Sequence, residues 1–274
     1  MLLPFLGGHE GWQLGSRVVR VGIVGAVIWL FVIGRRHRWH EQWIDYRLLA
    51  ELLRHLRMLA PLGGGRALPS VPVHWTIYGD PAATWMAWYV RAVERALGLV
   101  SARVDPAYLH GCAADLQAIL EEQKAYHDTT ARIHEHLEHR LHYSAIVLFM
   151  LTFVLSVLYL FGLPSATPGS WLKSPLTFSF FEGFLPAAAA ALTAINYQGE
   201  FRRVARRSRA MRDHLQTLLR AVADVERRLD GGDNIQQQVS SLLYGIATQA
   251  GSLFVNEVLD WRVVLLDQPL RPPG

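Results

Sequence analysis

The chain has 274 residues, 51% of them hydrophobic and 18% charged, with a formal net charge of +4. A mean hydropathy of +0.16 is high for a water-soluble domain, and the apolar residues gather in three blocks, the pattern of a chain that meets a bilayer. The single cysteine, Cys112, excludes an intrachain disulfide and a cysteine-built metal cluster.

The first apolar block, Val18 to Ile33, holds Arg20, so it crosses a membrane only if that side chain snorkels to the surface. No small-x-small cleavage site follows it, and residues 1–34 read as an N-terminal transmembrane anchor rather than a signal peptide. Residues 35–111 read as a cytoplasmic helical region. A helix is expected over Glu41 to Leu59, where Leu48, Leu52, His55 and Leu56 recur at helical spacing. Residues 61–78 read as a loop with one short extended piece at 71–77. Asp80-Pro81 marks a helix start that runs to about Leu97 and ends near Gly98.

Between Cys112 and Gly162 no helix breaker occurs, which predicts one helix of roughly 50 residues, near 75 Å long. Its second part, residues 143–163, is uncharged for about 21 residues, enough to cross a ~30 Å hydrocarbon core. Pro164, Pro168 and Gly169 end it. A second crossing is expected over 176–197, interrupted by Glu182 and Pro186, and its helix is expected to continue to Leu229 with Gly199 as the weak point. The soluble part of that helix has a three-four seam: Phe201, Val204, Ser208, Met211, Leu215, Leu218, Val222, Val225 and Leu229. Leu116, Ile119, Gln123, Tyr126, Thr130, Ile133 and Leu137 offer a weaker seam on the helix before. Residues 112–230 therefore read as a long helical hairpin, half in lipid and half a stalk, and 231–274 as a C-terminal amphipathic helical region. The fold class is an all-α integral membrane protein: a transmembrane hairpin extended by long cytoplasmic helices, with one additional N-terminal transmembrane helix.

Arginines orient it. Arg35, Arg36 and Arg38 follow the first block and Arg202, Arg203, Arg206, Arg207, Arg209 and Arg212 the third, whereas the loop between the second and third holds only Lys173. The positive-inside rule puts 35–142 and 198–274 in the cytoplasm. Counted from the membrane, Glu138 is level with Arg202 and Glu135 with Arg206. These acid–arginine pairs would set the register of the stalk, each exposed pair contributing less than ~1 kcal/mol.

Four histidines (His134, His136, His139 and His142) crowd the junction between stalk and membrane. His127, His134, Glu138 and His142 share one stripe, which reads as a metal site, a pH- or voltage-coupled switch or polar flankers of the stalk. Glu182 lies within the third apolar block, as a pore-lining acid or a snorkelling one. Gly183, Ala187 and Ala191, at four-residue spacing on the same helix, allow close helix approach, either to the preceding crossing or to copies of the chain. Trp75, Tyr78, Trp85, Trp88 and Tyr89 with Arg91 and Arg95 read first as core and second as a base-stacking group. GGGR at 63–66 lacks the strand and the Lys-Ser/Thr of a phosphate loop. No serine triad, HExxH, Rossmann or Walker signature occurs, so no catalytic residue, cofactor or metal is assigned, and an enzyme is not expected.

Three features together, YRLLAELLR (46–54) before the membrane, the paired crossings that continue into long helices, and FVNEVLDWRVVLL (254–266), resemble the SLATT family, the SMODS- and SLOG-associating two-transmembrane effector domains of bacterial conflict systems. The similarity covers roughly residues 40–270. It implies a membrane effector, pore-forming and switched on by a nucleotide-sensing partner. The leading expectation is a homo-oligomer in the bacterial inner membrane, with the lipid bilayer as partner and no nucleic acid. Two features depart from that family: the extra first crossing and the lack of a recognisable nucleotide-sensing domain. A non-pore scaffold or receptor subunit and an ion channel or transporter subunit are the competing readings.

The topology is open to a direct check. Reporter fusions at Gly64 and Gly232 are expected to give cytoplasmic signals and one at Gly169 an external signal; Gly64 and Gly169 on the same side would refute the hairpin.

Overall fold

A computed structural model describes residues 18, 21–30, 32–34, 36–37, 39–64, 69, 80–98, 101–161, 175–231 and 236–267. Among these every regular element is helical and none is a strand. The extended piece expected at 71–77, the loop expected between the crossings and the end of GGGR lie outside the described residues.

In chain order the helices are α1 (Val21–Gly34), α2 (Trp39–Leu59), α3 (Trp85–Leu97), α4 (Pro106–Leu160), α5 (Pro175–Gln198), α6 (Phe201–Asp230) and α7 (Gln236–Asp267). The chain divides into two compact units, residues 1–105 with 240–274, and residues 106–239.

In the first unit α2, α3 and α7 share a core. Leu48, Leu52, His55 and Leu56, the expected stripe of α2, are all buried. Ile44, Leu48, Leu52 and Leu56 pack with Met86 and Val90 of α3 and Val255, Val258 and Leu259 of α7. The start of α3 differs from expectation. Asp80 accepts a hydrogen bond from the Ala82 amide at 2.8 Å and caps only a 3-10 turn, Pro81–Ala83. The helix proper begins at Trp85, where Thr84 Oγ1 accepts from the Ala87 amide. Its end is as expected, with Gly98 at φ 68, the left-handed region that glycine occupies without strain.

The second unit is a hairpin in which α4 packs along α5 and α6. Pro106 opens α4 at a position where its missing amide costs nothing, and the helix then runs 55 residues without a break. It is the one described helix long and apolar enough to cross a membrane, and only 6% of its most apolar stretch is buried. The helix expected from 178 to 229 is instead two: α5 and α6 part at Gly199–Glu200, where Glu200 takes φ 45. A Cβ at Gly199 would lie 2.4 Å from the Phe201 ring, so a side chain there would push that ring aside.

Gly251 carries a sharper constraint. The buried His55 ring lies on it so closely that a Cβ would fall 1.7 Å from Nδ1. Gly251→Ala is expected to cost about 1–3 kcal/mol by overpacking, read as a lowered thermal midpoint. An unchanged melt would mean that α2 and α7 do not meet at this point.

Candidate functional site

The stalk seam on α6 forms as the spacing predicts, with Ser208, Met211, Leu215, Leu218, Val222 and Val225 buried. The seam on α4 forms only in its first part, where Leu116, Ile119 and Gln123 are buried. Tyr126, Ile133 and Leu137, expected inside, are exposed. The face that turns inward is Cys112, Leu116, Leu120, Gln123, His127 and Ala131, followed by the half-buried His134 and Glu138 and the buried Ala145. These positions follow an 11-residue repeat, close to the natural turn of a straight helix, whereas the expected heptad drifts off it.

That rotation reassigns the histidines. His127 is 1% exposed and sits within the seam instead of flanking it. His134 lies against Phe201 with ring centroids 5.9 Å apart, its Nδ1 2.9 Å from the Thr130 carbonyl oxygen. His139 stacks on Tyr143 and His142 meets the same ring edge-on. No three His, Cys, Asp or Glu side chains among the described residues converge as a metal site. Burial pushes the Cys112 thiol up, so it is a poor nucleophile at neutral pH.

The expected ion pairs Glu138–Arg202 and Glu135–Arg206 do not form. Glu135 instead meets Arg209 at 3.5 Å, and Glu138 lies 3.9 Å from His139. Arg202 and Arg206 are exposed. At about 100° per residue Arg206 falls about 160° from Ser208, away from the seam, and Arg212 about 40° from Ser208; Arg202 and Arg209 share one azimuth, so Glu135 finds its partner about one turn further along α6 than equal height predicts. Arg212 bridges Asp128 of α4 at 3.2 Å. Its hydrogen bonds to Asp213 and then to Asp128 raise its pKa further, so it stays charged. His110 and Asp230, 3.6 Å apart, close the far end. Beside the Arg212–Asp128 bridge an open groove of about 710 Å³ runs along the stalk, lined by Lys124, Gln216 and Arg220 among others.

In α5 the face toward α4 carries buried Leu185 and Ala189. Glu182, Gly183, Ala187 and Ala191 are exposed, and so are Ala190 and Ala194, which widen the small-residue face beyond the expected stripe. A Cβ at Gly183 would meet nothing within 4 Å. Among the described residues that stripe is left open and turned away from the preceding helix. The exposed face of α4 at the same depth is bulky, with Val147, Phe149, Met150 and Phe153. Tyr143 and Tyr197 stand exposed where the apolar segments give way to the arginines and histidines.

Compared with protein-family models, with curated proteins and with solved structures, the chain matches none. The family resemblance is carried by residues 46–54, the hairpin and residues 254–266 alone.

Leu215 is fully buried in the seam, and Leu215→Asp is expected to cost about 3 kcal/mol or more by placing an unpaired charge there. Loss of helicity and melting cooperativity reports it. Arg206→Ala, on the solvent side, is expected to leave both unchanged.

Proposed function

We propose that the chain is a membrane effector of a bacterial conflict or antiphage system, which assembles as a homo-oligomer and permeabilises the inner membrane when a nucleotide-sensing partner triggers its cytoplasmic part. The family and the partner rest on the sequence resemblance. The observation that carries the assembly is the open Gly183, Ala187, Ala190, Ala191 and Ala194 face of α5, set opposite the face that packs on α4. Between helices in lipid, association rests on close van der Waals approach, which small residues permit and bulky ones prevent. Copies of α5 meeting through this face would bring Glu182 to the outer mouth of the assembly, where a ring of carboxylates favours cations. In this reading a movement of the stalk reaches α5 through the Gly199–Glu200 joint, where the helix is interrupted and Glu200 takes φ 45. The polar groove at Lys124 and Arg220 favours a second reading, a non-pore scaffold that recruits a partner along the stalk.

Reconstituted protein in dye- and ion-loaded vesicles separates the two. Ala187→Leu and Ala191→Leu face away from α4, so the hairpin should persist. Release is nonetheless expected to fall at least about tenfold, equivalent to ~1.4 kcal/mol of lost association. Glu182→Gln is expected to reduce cation preference without changing assembly. Oligomeric, triggered protein that passes no ions would leave the scaffold.

A further inference from the structure

Six aromatic side chains stand exposed on one side of α2 and α3. Trp39, Trp43 and Tyr46 recur at four and three residues along α2. Trp88 and Tyr89 stand three and four residues after Trp85 along α3. They are 47–69% exposed. They do not belong to the core, which Ile44, Leu48, Met86 and Val90 fill from the opposite faces. The two rows form one patch. Tyr46 and Trp85 meet edge-to-face with centroids 6.0 Å apart, and Trp85 Nε1 donates to Asp45 across the same helix pair at 3.3 Å. The Arg47 guanidinium lies 5.9 Å from the Trp43 ring centre.

Two further observations say what covers this patch. The first is continuity. α1 presents Val21, Val24, Val27 and Ile28 uncovered, and the patch begins where α1 ends, with a Cβ on Gly34 only 3.6 Å from the Trp39 ring. The second is chemistry. The rings are Trp and Tyr, each an apolar body with a polar tip, the residues that collect at a membrane–water boundary. Exposed Arg91 and Arg95 continue the Trp88 row by one and two turns, and Arg36 sits at the α1 junction. These cations match lipid phosphates.

We infer that the aromatic–arginine face of α2 and α3 is a membrane-docking surface, seated at the headgroup–acyl boundary of a bilayer that contains anionic lipid. The inference rests on the membrane reading of the chain but not on the pore. It gives the first compact unit its own hold on the bilayer, separate from α4. Docking would keep α2, α3 and α7 against the membrane surface, and a ligand that lifted them off would be a trigger.

The test uses the full chain with Cys112→Ser, which removes its only thiol, and one new cysteine at a time bearing a nitroxide. Ala50→Cys and Ala92→Cys lie one turn beyond Tyr46 and Trp88, both exposed, and leave the aromatics intact. Thr217→Cys on the exposed side of the stalk is the water reference and Val147→Cys the acyl reference. In vesicles of phosphatidylcholine and phosphatidylglycerol, collision with oxygen and with a water-soluble nickel chelate reports depth. Labels at 50 and 92 are expected between the two references, about 5–10 Å into the boundary. Trp43→Ser with Trp88→Ser is expected to shift both to the Thr217 value at unchanged helicity. Labels at 50 and 92 that read as water while Val147 reads as acyl would overturn the inference and leave the membrane reading intact. A Val147 label in water would remove that reading and the inference with it. Mutual broadening of the labels, or a response only to added ATP, would replace the bilayer with a second copy or a stacked base and equally overturn it.

Discussion

The architecture of residues 106–239 depends on one backbone hydrogen-bond ladder, that of α4, which runs unbroken from polar into apolar sequence. A helix satisfies its peptide groups within itself, so the chain can pass from water to hydrocarbon with no exposed donor or acceptor at the boundary. A break at the histidine-rich junction would leave such groups where neither water nor a partner reaches them reliably. The hydroxyls in the apolar segments obey the same constraint: Thr152 donates to the Leu148 carbonyl and Thr193 to that of Ala189, each at 2.9 Å. With α4 continuous, the one interruption in the hairpin's helices among the described residues falls on the partner side, where Gly199 and Glu200 part α5 from α6.

Much of this was legible in the sequence. The length of α4, its pairing with α5 and α6, the weak point at Gly199 and the buried face of α2 follow from breaker positions and apolar spacing. So does the α6 seam, because its Met, Leu and Val residues stand out against an arginine-rich background. The α4 seam was legible through Leu116, Ile119 and Gln123 but not beyond, because its next inward residues are His127 and Ala131 while larger apolar residues, Tyr126 and Ile133, point outward. Hydrophobicity picks the wrong face there, and only the 11-residue spacing that includes Cys112, Gln123, His134 and Ala145 would have found it. The aromatics of α3 failed in the opposite direction. Their helical spacing reads as core, yet Met86 and Val90 fill that role.

The polar residues in the hairpin interior bear on register. An apolar seam as long as this one tolerates slippage by whole repeats, since one leucine replaces another at little cost. Gln123, His127 and Ser208 are buried in it, and buried polar side chains trade stability for a single alignment. The bridge Arg212–Asp128 and the Glu135–Arg209 pair add little energy at their exposure, but they fail in any shifted register and so reinforce the same choice.

The two apolar segments then divide their work by side-chain size. A bulky surface gains nothing by leaving lipid for protein, since acyl chains are as apolar as leucine and fill gaps better. The Val147, Phe149 and Phe153 face of α4 is thus suited to lipid. A surface of glycine and alanine is different: acyl chains fit poorly against its flat backbone ridge, and another helix with the same ridge can approach closely along its whole length. The hairpin already uses one alanine, Ala189, to seat α5 on α4. Among the described residues the remaining small residues on α5 have no such use, and they leave a ridge that another helix can approach closely.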